Sequence, residues 1–116
     1  MKYTNADKYF SFLELAKKAV EVTDLSPLSA DEEKILNFIA ITNARGERLS
    51  VTDILGRREL APSMTMQRKL KALIQKGWIF QEPTEDGRRF QLQLTDNTLD
   101  HFKKFSKAMQ KAAKSS

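Results

Sequence analysis

Between residues 57 and 76 the chain carries Arg57, Arg58, Arg68, Lys69, Lys71 and Lys76 against a single acid, Glu59. Cationic groups at this density neutralise phosphates, and a planar guanidinium such as that of Arg68 can also pair bidentately with guanine O6 and N7. A second basic run, Lys103, Lys104, Lys107, Lys111 and Lys114, contains no acid. Over all 116 residues the formal charge is +5, which favours anionic partners, nucleic acid foremost. Bond-breaking chemistry is poorly provided for. His101 is the only histidine and sits among lysines, there is no cysteine, and no metal-ligand spacing or glycine-rich phosphate loop is visible. Asp31-Glu32-Glu33 could pass for a carboxylate cluster, but acids in a first helical turn are explained by the helix dipole. No catalytic residue, metal or cofactor is expected, and the chain is not expected to be an enzyme.

The basic groups of 57–76 need an element that presents them together. Ser63 reads as the cap of a helix that Gly77 ends, with Met66, Leu70, Leu73 and Ile74 as its buried stripe. The opposite face holds Met64, Thr65, Arg68, Ala72 and Gln75, flanked by Lys69, Lys71 and Lys76. Every ionisable group on this helix is basic, whereas an ordinary surface helix mixes signs to gain i,i+4 pairs. Ahead of it, Ser50-Val51-Thr52-Asp53 caps a short helix burying Val51, Ile54 and Leu55, with Gly56 to Pro62 as the turn. Arg48-Leu49 could form a minimal strand. Ser29-Ala30-Asp31-Glu32 is a capping box for a helix that buries Ile35, Phe38, Ile39 and Thr42 and stops at Gly46.

After Gly77, Trp78 to Glu82 and Arg89 to Leu94 read as strands joined across an Asp86-Gly87 turn, with Phe90, Leu92 and Leu94 on one side. Residues 4–22 read as an apolar helix, either well buried or packed on a partner chain. Residues 96–114 read as a last helix with a stripe of Leu99, Phe102, Phe105 and Met109. The fold class expected is mainly α with a small β-hairpin wing (α+β): a winged helix-turn-helix over 28–95, flanked by N- and C-terminal helices in a single domain. No apolar run reaches the length of a membrane span and no secretory signal layout opens the chain, so a cytoplasmic, nucleoid-associated protein is expected.

These residues resemble the winged helix-turn-helix of MarR-type transcriptional regulators, in a short variant. The family pattern of a Leu-Thr/Ser helix start is matched by Leu28-Ser29, and the Ser-x-Thr-x-x-Arg of the recognition helix by Ser63, Thr65 and Arg68. Leu73, Gly77 and Trp78-Ile79 match the leucine, glycine and apolar strand that follow. Asp86-Gly87-Arg88 matches the wing motif, and Leu94-Thr95 the end of the wing. The resemblance implies a homodimer that binds double-stranded DNA, usually as a repressor, with the recognition helix in the major groove and the wing along the minor groove. It also implies a small-molecule effector, for which Tyr9, Phe12, Phe38 and Trp78 are the candidate lining, although core packing uses the same residue types. The glycine that commonly follows the wing is absent from Leu94-Thr95-Asp96.

The residues expected to contact DNA are Ser63, Met64, Thr65, Arg68, Lys69 and Gln75 on the recognition helix and Arg88 and Arg89 on the wing. Arg88 and Arg89 could equally pair with Glu85 and Asp86 at the hairpin tip. Phe10, Leu13, Phe102, Phe105 and Met109 are expected to dimerise the chain, which predicts a pseudo-palindromic site. Two other readings use the same fold: a protein-interaction module, whose mark would be an acidic or apolar recognition face, and a plasmid- or phage-type replication or partition protein.

Overall fold

The fold is that of a computed structural model, which describes residues 6–21, 23–85 and 90–114. In chain order the elements are α1 (Asp7–Glu21), α2 (Ala30–Ala44), α3 (Val51–Leu55), α4 (Ser63–Gln75), β1 (Ile79–Pro83), β2 (Phe90–Leu94) and α5 (Asp96–Lys114). They fall into two compact units. Leu25–Thr98 forms one, and Met1–Asp24 with Leu99–Ser116 the other.

The larger unit begins with a helix start fixed by local chemistry. The Ser29 hydroxyl accepts from the Glu32 amide at 3.2 Å, and the Glu32 carboxylate accepts from the Ser29 amide at 2.8 Å. Ser50 and Asp53 repeat this reciprocal pair at the start of α3. Helices α2 and α4 both stop at a glycine in the left-handed region, Gly46 (φ +74°) and Gly77 (φ +83°). At each stop two paired amides close a Schellman turn: Glu47 N–H to Thr42 O with Gly46 N–H to Asn43 O, and Trp78 N–H to Leu73 O with Gly77 N–H to Ile74 O. The expected stops at Gly46 and Gly77 therefore hold.

Ile35, Leu36, Ile39, Ile54, Met66, Leu73, Ile79 and Leu92 are the fully buried apolar side chains of this unit. Phe38, expected in that set, is only half-buried, and Leu36 takes the interior position instead. The Arg57 guanidinium lies over the Phe38 ring at 5.4 Å, a cation–π contact that uses its outer face.

The hairpin pairs antiparallel from Ile79 opposite Leu94 to Pro83 opposite Phe90. The first strand starts one residue later than the sequence suggests, and Arg89, expected to open the second, lies outside the described residues. Trp78 is spent on the turn, where its carbonyl accepts from the Thr95 amide at 3.2 Å. Leu92 and Leu94 face inward as expected, but Phe90 is exposed, because it lies at the outer end where the hairpin leaves the core. The minimal strand expected at Arg48-Leu49 is instead a single bridge between Ser50 and Gln91. Leu92 N–H donates to Leu49 O at 2.8 Å, and Asn43 Nδ2 donates to Leu92 O at 3.2 Å. The hairpin base is thus pinned by its backbone to the segment before α3 and to α2.

In the second unit the buried-helix reading of 4–22 is overturned. The described helix runs Asp7–Glu21, and of its residues only Ala19 is buried. Tyr9, Phe10, Leu13 and Val20 are exposed. The stripe expected on the last helix is also displaced. Thr98, His101, Ala108 and Ala112 are the buried positions of α5, whereas Leu99 and Met109 are exposed and Phe102 and Phe105 half-buried. His101 packs edge-on against Phe105, ring centroids 4.8 Å apart. Thr98, on the part of α5 that belongs to the larger unit, donates from Oγ1 to Trp78 O at 2.7 Å. Thr98, hydrogen-bonded through its hydroxyl, and His101, packed on Phe105, therefore occupy positions that a hydrophobicity pattern assigns to the surface. Burial of His101, with the Lys104 charge adding to it, pushes its imidazole below the usual histidine range.

Candidate nucleic-acid interface

Helix α4 is placed by both its ends. At the N-terminus the cap is Pro62, not Ser63, and no side chain caps the helix. Pro62 sits at φ −59°, so the ring itself sets the entry of the chain. Ser63 is the first helical residue, and its hydroxyl donates to Leu55 O at 3.2 Å, which ties the start of α4 to the end of α3. Ser63 is therefore at the turn between the two helices, half-buried, with its side chain already engaged.

At the C-terminus Lys76 acts as an anchor. Its ammonium donates to the Glu32 carboxylate at 2.6 Å and to Pro27 O at 2.9 Å. Sequence reasoning had set Lys76 beside the basic face, and the structure removes it from there. The Glu32 side chain is 5% exposed, so this pair is shielded from water on the acid side. Burial alone would raise the Glu32 pKa. The hydrogen bonds from Lys76 and Ser29 and the Lys76 charge outweigh it, and the carboxyl titrates below its usual range. Trp78 Nε1–H adds a bond to Ser26 O at 3.0 Å, so the chain before α2 is held twice by the chain that ends α4. Trp78 is thus core, with its polar edge satisfied.

Between these anchors, Met66, Leu70 and Leu73 are buried and turn the other side of α4 outward. Met64, Arg68, Lys71 and Gln75 are exposed, and Thr65, Lys69 and Ala72 half-buried. Arg68, Lys69 and Lys71 form no hydrogen bond or ion pair with the described residues, whereas Arg57 pairs with Glu59 at 3.7 Å. The outward face of α4 therefore holds free cations and no acid within a helix whose orientation is fixed at both ends.

Arg88 and Arg89 lie outside the described residues, as does the Asp86-Gly87 turn. Of the five residues expected at a dimer contact, Phe10, Leu13 and Met109 are exposed, and Phe102 and Phe105 half-buried. A cavity of about 360 Å³ opens beside the outer end of the hairpin, lined by Arg48, Ser50, Asp53, Thr84 and Phe90 among others. Among the described residues no group of His, Cys, Asp and Glu could hold a metal ion, and no helix is long and apolar enough to cross a membrane.

A short helix, a turn, an anchored second helix and a β-hairpin pinned behind it define a winged helix-turn-helix. No family model and no curated protein matches the chain. Solved structures do. Disulfide-formed AbfR is 22% identical with a TM-score of 0.51, over 90% of this chain and 67% of that one. Reduced AbfR bound to DNA is 21% identical with the same TM-score of 0.51, over 95% of this chain and 74% of that one. Overoxidized AbfR bound to DNA matches to the same extent. The likeness shows a shared winged-helix fold. The thiol states of AbfR have no counterpart here, because this chain has no cysteine.

Proposed function

We propose that this chain is a sequence-specific double-stranded-DNA-binding transcriptional regulator that acts as a homodimer. Helix α4 enters the major groove, and the wing over residues 82–89 follows the flanking backbone or minor groove. The observation that carries this reading is the outward face of α4: unpaired cations, no acid, and a helix anchored by Lys76 and Ser63. A similar fold bound to DNA in AbfR lends support, and the MarR-like motifs favour a repressor. Arg68 reads a base edge, Thr65 and Lys69 take phosphates, and Arg88 and Arg89 are assigned to the wing contact. The exposed apolar side chains of α1 and α5, Phe10, Leu13 and Met109 foremost, supply the dimer contact.

The test is selection from a random duplex pool followed by titration across a salt series. The reading expects a pseudo-palindrome with half-sites one helical turn apart, and an affinity that falls steeply with salt as phosphate counterions are released. Weak binding with no enriched motif would contradict it and favour the protein-interaction module.

A further inference from the structure

Met64 is the most exposed large apolar side chain among the described residues, at 70%. It is the second residue of α4, and it is not a displaced member of the helix core. The buried stripe begins at Met66, two residues on and so about 200° around the helix. Met64 instead shares a face with Arg68, its i+4 neighbour, which has no partner among the described residues. An apolar group thus stands in open water on a face of the helix whose other exposed residues, Arg68, Lys71 and Gln75, are basic or polar.

We propose that Met64 is a specificity-determining residue that reads the C5-methyl of a thymine in the major groove. This rests on the DNA-binding reading above. A thioether side chain neither donates a hydrogen bond nor attracts a phosphate. The thymine methyl is the apolar group that a base pair presents in the major groove, and none of the other three standard bases carries one. Methionine also suits such a contact, because its unbranched, polarizable chain adapts to an irregular surface. The spacing fixes where the thymine lies. Residues three to four apart on a helix in the major groove reach successive base pairs. Each half-site therefore carries a thymine next to the guanine that Arg68 reads, about one base pair away.

The experiment replaces that thymine by deoxyuridine in the selected duplex, which removes the methyl and leaves the pairing intact. Wild type should bind the deoxyuridine duplex about fourfold more weakly per half-site, the value of one buried methyl-sized group. Met64→Ala should bind both duplexes equally, and at high exposure the substitution should leave the melting temperature unchanged. Equal binding of the two duplexes by wild type would overturn the assignment. So would a thymine preference that persists in Met64→Ala, or a Met64→Ala change confined to oligomeric state. If no motif is enriched at all, the regulator reading falls first and this assignment with it.

Discussion

Glu32 and Lys76 show how one ion pair can fix the end of a helix. Glu32 belongs to the capping box of α2 and at the same time holds the C-terminal end of α4. Replacing Lys76 by Met would leave a buried carboxylate without its main partner, at a cost of about 3 kcal/mol. Urea unfolding would measure this, and a loss below about 0.5 kcal/mol would contradict the anchoring role. The pH dependence has a definite sign. The folded carboxyl titrates below its unfolded value, so its contribution is present above the ordinary glutamate range and lost as pH falls through the folded pKa. The stability gap between wild type and Glu32→Gln should therefore be widest near neutrality and shrink below about pH 4. The capping box was legible because serine and glutamate three residues apart obey a local rule. Lys76 lies 44 residues from Glu32, and nothing local marks the pair, so the sequence placed Lys76 with the other lysines.

The elements follow their end signals more closely than their hydrophobic patterns. Gly46 and Gly77 end α2 and α4 because each adopts a left-handed φ that side chains with a Cβ resist. Gly77→Ala should cost about 1–2 kcal/mol. The cost is backbone strain and not a clash, since an added Cβ would meet only Leu25 Cδ2 at 3.9 Å. A change in melting temperature read against the wild type checks it, and no change would mean that the turn re-forms without the left-handed residue. Helix α5 shows the opposite case. Its stripe was read from Leu99, Phe102, Phe105 and Met109, while the interior is taken by Thr98, His101, Ala108 and Ala112. Hydrophobicity alone could not find Thr98, because its burial depends on the Trp78 carbonyl that its hydroxyl bonds. Similarly, Pro62 displaced Ser63 as the cap of α4 because the Ser63 hydroxyl is engaged by Leu55 O.

At the scale of the whole molecule the two compact units differ in how far they bury themselves. Leu25–Thr98 encloses nearly all the large fully buried side chains, whereas α1 buries Ala19 alone and exposes Tyr9, Phe10, Leu13 and Val20. Apolar surface of this kind in water favours association. On the dimer reading, Leu13→Glu should shift wild-type dimers to monomers in sedimentation at micromolar concentration. It should do so without unfolding the chain, because Leu13 is 44% exposed in the single chain. A wild type that is monomeric under those conditions would contradict the reading.

On the DNA-binding reading the outward face of α4 reads base sequence, and Arg68 is the residue on which that reading stands or falls. Binding of wild type and Arg68→Ala to the selected duplex should be compared with binding of both to an unrelated duplex. Arg68→Ala should lose about tenfold or more on the selected site, from about 1–3 kcal/mol of bidentate readout, and much less on the unrelated one. Equal losses on both duplexes would make Arg68 a phosphate contact only, and no loss on either would mean that this face of α4 does not read DNA.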